Sequence, residues 1–83
     1  MKGKSKNVIN STLTGVVAPV EWDNGQVTAV ALCATDDEDY RIENSDKFYH
    51  LVRHSIEATG IIRQYRKSFK SIRIKRYHVL DAS

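Results

Sequence analysis

The sequence predicts an all-β domain with one short helix, its five strands running in the order β-β-β-α-β-β and curling into a closed barrel. Three observations carry this. Branched residues fill the stretch T-L-T-G-V-V-A-P-V-E-W (residues 12–22), and strand-like texture recurs over residues 26–35, 40–43, 56–65 and 71–80. The one helix-spaced apolar set, Phe48, Leu51 and Val52 at i, i+3 and i+4, falls between the third and fourth of these stretches. Finally, five strands in 83 residues cannot cover both faces of an open sheet. Gly15 and Gly60 stand inside strands as bending points, and Pro19 removes a ladder donor from the first strand, which must therefore be bent, edged or shared.

Taken in order, residues 1–7 (M-K-G-K-S-K-N) read as a disordered basic tail, residues 8–80 as the single domain and residues 81–83 as a short C-terminal tail. The first strand ends at Asp23-Asn24-Gly25, a strong hairpin signal. Its return strand, Q-V-T-A-V-A-L-C-A-T, lacks clean polar alternation, as a strand covered on both sides does. Asp36-Asp37-Glu38-Asp39 forms a solvated turn, and the third strand follows with Tyr40 and Ile42 on one face. Asn44 or Ser45 is placed to cap a helix of about ten residues, too short to stand without packing on the sheet. In the last strand Ile72 and Ile74 share a face, whereas Tyr77 and Val79 continue one residue out of phase. That shift predicts a β-bulge near Lys75-Arg76.

Composition narrows the function classes. Hydrophobic residues at 41% and charged residues at 28% describe a globular chain rather than a disordered one. No apolar run is long enough to span a bilayer, and the basic N-terminus lacks the apolar segment of a signal peptide. The single cysteine, Cys33, fits a reducing, cytoplasmic compartment and reads as a small core residue rather than a nucleophile. Phosphate-cradling glycine loops and a nucleophile-elbow serine are absent, so the expectation is a non-catalytic protein without a cofactor. The net charge of +3 is mild, but it is unevenly spread: residues 21–46 hold eight acids and one base, Arg41, whereas residues 61–80 hold seven bases and no acid. Such a charge dipole can orient a partner, or the two patches can satisfy each other.

The strand order with its helix between strands three and four, together with the matching stretches Thr14-Gly15-Val16-Val17 and Thr59-Gly60-Ile61-Ile62, resembles the OB-fold, a five-stranded Greek-key barrel. It is most similar to the small, stand-alone bacterial OB-type domains, and the resemblance covers residues 8–80. An SH3-like small barrel does not place a helix there so naturally. The resemblance implies a ligand lying across strands two and three, between the loop Trp22–Gly25 and the loop Tyr65–Ser71. These supply rings for stacking bases and cations for phosphates. The candidate nucleic-acid-binding residues are Trp22, Arg63, Tyr65, Arg66, Lys67, Phe69, Lys70, Arg73 and Lys75, and the partner expected is single-stranded DNA or RNA.

Against that stands the plainer reading, in which Lys- and Arg-rich hairpins keep an edge soluble and strand aromatics pack the core. Strand two offers no aromatic, and Asp36–Asp39 would repel phosphates at one of its ends. The alternative is a protein-interaction or structural domain that docks a protein partner or a second copy through its acidic and basic patches. Asp46, His50 and His54 at i, i+4 and i+8 would share one helix face. They lack a fourth ligand and the H-E-x-x-H pattern, and they read as the solvated side of that helix. The acidic run lacks the alternating oxygens and glycine of a calcium loop.

Overall fold

The computed structural model describes residues 8–65 and 69–81, with positions 8 and 65 described by their backbone alone. The N-terminal tail expected at residues 1–7 lies outside the described residues, as do residues 82–83. Five strands make up the domain: β1 (Val8–Asp23), β2 (Gln26–Ala34), β3 (Asp39–Ile42), β4 (Ser55–Tyr65) and β5 (Phe69–Val79). They form one sheet that closes on itself in the order β1-β2-β3-β5-β4, because β1 pairs with β2 along its second half and with β4 along its first. Every pairing is antiparallel except β3 with β5, which is parallel and joins only residues 40–42 to 70–72.

Local chemistry explains each bend. Asn24 and Gly25 both take positive φ (53° and 80°), the mirror-image turn that matches strand twist, so Asp-Asn-Gly closes the β1–β2 hairpin as its sequence implies. Gly15 and Gly60 sit on the inner face where strands approach closely. A Cβ at Gly15 would meet the Cys33 carbonyl, and one at Gly60 the Arg73 carbonyl. Val17 pairs through its N–H and C=O with the backbone of residues 53–54, so the missing donor of Pro19, two residues on, points to the side of β1 that β4 has already left. The β1–β2 register slips just beyond, between Pro19 and Trp22. In β5 the bulge falls where the phase shift put it: Thr59 pairs with Arg76 and Gly60 with Ile74, leaving Lys75 as the extra residue.

The interior is built from alternate residues of every strand: Val17, Val30 and Leu32, Tyr40 and Ile42, Ile56 and Ala58, Ile72 and Ile74. Phe48 and Leu51 complete it from the connection between β3 and β4, and Phe48 meets Tyr77 edge-on with centroids 5.2 Å apart.

That connection corrects the sequence reading. Instead of a ten-residue helix there are two separate 3-10 turns, Ser45–Lys47 and Tyr49–Leu51, broken at Phe48 (φ −127°, ψ 6°). The reason lies at both ends. Neither Asn44 nor Ser45 caps a helix, because both side chains bind the sheet instead. The Asn44 amide donates to the Ile74 carbonyl (2.8 Å) and accepts from the Ile74 N–H (3.1 Å), extending the β3 ladder by a side chain. Ser45 Oγ donates to the Ile42 carbonyl (2.7 Å) and accepts the Val30 N–H (3.1 Å). At the far end the backbone of residues 53–54 is already paired with Val17, and Arg53 adopts φ 77°. Too little chain is left for continuous α-helix, but Phe48 and Leu51 still reach the core. Without the helix the spacing of Asp46, His50 and His54 loses its meaning. His54 turns instead to Asp81, with Nδ1 and Oδ1 3.1 Å apart.

Candidate functional site

A groove of about 480 Å³ lies on the outer face of β2, β3 and β5, running from Thr28 and Ala29 at the base of the β1–β2 hairpin to Phe69 at the start of β5. Its floor is made of small and polar residues, Ala29, Arg41 and Ser71, and its far wall is Ser45, Asp46 and Tyr49 from the first and second 3-10 turns. The Phe69 ring is 47% exposed and the Tyr49 ring 38%, so both offer aromatic surface, and the Tyr49 hydroxyl is anchored by donating to the Thr28 carbonyl (2.8 Å). The Arg41 guanidinium stands over the Phe69 ring, 6.0 Å from its centroid.

Charges on and beside this face are tied in separate pairs across the strands. Arg41 of β3 reaches over β2 to Glu21 of β1 at 2.9 Å, which the alanines at 29 and 31 leave room for. Glu43, just beyond β3, accepts from Ser71 of β5 (2.5 Å) and from Arg63 of β4 (2.7 Å). Partial burial pushes the Glu43 carboxyl up, but the hydrogen bonds from Ser71 and Arg63 and the nearby charges of Arg63 and Arg73 outweigh it. They hold Glu43 below the usual carboxylate range, so it is ionised at neutral pH. Lys70 pairs with Glu38 at 3.1 Å and lies 5.8 Å from the centre of the Tyr40 ring.

The expected site residues are therefore distributed unequally. Phe69 lines the groove. Trp22 is 60% exposed on the hairpin beyond the end of β4 and does not line it. Arg63 and Lys70 are held by carboxylates, whereas Arg73 and Lys75 are exposed on β5, outside the groove. Arg66, Lys67 and the side chain of Tyr65 lie outside the described residues. Cys33, expected in the core, is exposed on the outer face. Partial burial and the neighbouring charge of Asp39 push its thiol up, away from a reactive thiolate.

Sequence reasoning missed Arg41, Tyr49 and Arg76. Arg41 carried a signal as the single base in an acidic stretch, and Arg76 carried one in the strand's phase shift. Tyr49 was hidden by the helical reading, which placed no ring over β2. Among the described residues no group of three metal-binding side chains comes together, and no helix is long and apolar enough to cross a membrane. Comparison with known proteins adds no relative: no family model, no curated protein and no solved structure matches the chain.

Proposed function

We propose that the protein is an OB-type, non-catalytic binding module that takes a single strand of nucleic acid into the groove between its two hairpins. The observation that carries this is the groove itself, with the Arg41 guanidinium over the exposed Phe69 ring and exposed Tyr49 on the far wall. The ring order β1-β2-β3-β5-β4 supports the OB-type reading, as does the position of the groove over β2 and β3, between the hairpin loops. Bases need flat faces, which the two rings supply, and Arg41 adds a planar donor that stacks or reads a base edge. Glu43 and Asp46 keep phosphates out of the floor, so the strand lies bases inward. Titrating a labelled single-stranded oligonucleotide at low salt tests this. Phe69→Ala removes one stacking platform and is expected to weaken binding about 5- to 150-fold, the equivalent of about 1–3 kcal/mol. Unchanged affinity in both Phe69→Ala and Tyr49→Ala would sink the groove as a strand site.

A second reading, a protein-docking domain, is favoured by one observation: Val20 and Trp22 are exposed together on the hairpin, away from the groove. Under it, Trp22→Ala alters self-association in sedimentation and leaves oligonucleotide affinity unchanged.

A further inference from the structure

The outer face that adjoins the groove across β5 has a different chemistry. Across β1, β4 and β5 the outward positions line up in rows: Asn10 with Ile61 and Arg73, Thr12 with Thr59 and Arg76, Thr14 with Glu57 and His78. The bulge at Lys75 makes this possible. Regular alternation would turn Arg76 inward with Ile72 and Ile74. The extra residue reverses the phase, so Tyr77 packs on Phe48 while Arg76 joins Arg73 on the outside. Arg73, Lys75 and Arg76 are all exposed, and none forms an ion pair with a described residue, whereas Arg41, Arg63 and Lys70 are each tied to a carboxylate. Neutral hydrogen-bonding groups lie beside them, with the Thr12 and Thr59 hydroxyls 2.9 Å apart, and a depression of about 160 Å³ opens beside Arg76. Glu57 is the one carboxylate in these rows and lines the depression with His78 and the half-exposed Tyr77, whose ring packs edge-on against Phe48.

We infer that this β1–β4–β5 face is a second binding surface, one that grips the phosphate backbone of duplex nucleic acid by charge. Cations beside hydroxyls, with the one nearby phenol engaged edge-on with Phe48, suit a backbone whose bases are already paired, and they carry no sequence preference. The inference is independent of the groove. Three phosphate contacts give a salt slope of about −2.7, so duplex affinity falls about 40-fold between about 50 and about 200 mM salt.

The test is a titration of a labelled short duplex across that salt range with the full chain. The expected results are that Arg73→Glu with Arg76→Glu abolishes binding, and that Arg73→Gln with Arg76→Gln lowers the slope to about −0.9. Glu57→Lys adds a cation and is expected to tighten binding and steepen the slope by about 0.9, a gain that misfolding cannot mimic. Phe69→Ala leaves duplex binding intact, so the groove and the face fail or succeed separately. No duplex binding at low salt, or binding indifferent to the Arg73 and Arg76 changes, overturns the inference. Equal, Arg73- and Arg76-dependent binding of a single strand by Phe69→Ala would also overturn it, since the face would then not be a duplex surface.

Discussion

The phenol of Tyr40 is only 6% exposed and donates to Asp36 Oδ2 at 2.8 Å, while Asp36 Oδ1 accepts the Glu38 N–H and shapes the turn. Burial, then the Asp36 hydrogen bond and the charges of Asp36 and Glu38, push this phenol up to about 12 from an ordinary 10. A raised phenol contributes stability that is fully present below the unfolded value and is lost as pH climbs through the folded one. Between about pH 10 and 12 the fold should lose on the order of 2–3 kcal/mol through Tyr40. Alkaline unfolding monitored by circular dichroism checks this: Tyr40→Phe is expected to flatten the pH dependence in that window, and an unaltered profile would refute it. The sequence put Tyr40 and Ile42 on one face and Asp36–Asp39 in a turn, but did not show that the turn's first carboxylate serves the core tyrosine. That link depends on a left-handed Asp37 (φ 69°), which curls the turn back on itself and is not read from composition.

At the scale of elements, features encoded in neighbouring residues were legible. The β1–β2 turn, the bulge at Lys75 and the in-strand glycines each follow from a short motif whose sterics leave few choices. Gly60 makes the strongest prediction. Because a Cβ there would strike the Arg73 backbone rather than a movable side chain, Gly60→Ala is expected to destabilise the fold by about 1–3 kcal/mol or more in urea unfolding. A neutral result would mean that β4 and β5 can part at this point. The connection from Asn44 to His54 was not legible, because its form is set by distant partners. Ile74, Val30 and Val17 claim its backbone and polar side chains, and no local pattern announces claims made from 15 to 37 residues away.

For the whole molecule, the sequence showed the segregation of charge but not its consequence. Acids from residues 21–46 capture the nearest cations, so Arg63 and Lys70, which look available in a linear reading, are held by carboxylates, and half-exposed Arg41, tied to Glu21 through one nitrogen, keeps the rest of its guanidinium for the groove. Left exposed on β5 are Arg73, Lys75 and Arg76, while Lys47 and Arg53 stand exposed on the connection between β3 and β4. Which cation is engaged depends on the strand order, and strand order is a property of ring closure rather than of any segment.

That closure has a weak point. β3 is held to each neighbour through three residue pairs, 39–41 with 31–33 of β2 and 40–42 with 70–72 of β5, the latter helped by the Asn44 amide, whereas β1 and β4 run together for nine. If the ring breathes, it opens at β3, so the amides there, along the β3–β5 seam as along the β2–β3 one, should exchange with solvent sooner than those between β1 and β4. Arg41 and Ser71 face each other across the seam and both line the groove. A strand lying in the groove therefore bridges the two edges like a staple, and its binding should register in hydrogen exchange as slower opening at Arg41 and Ile72, even though Ile72 is buried beneath it.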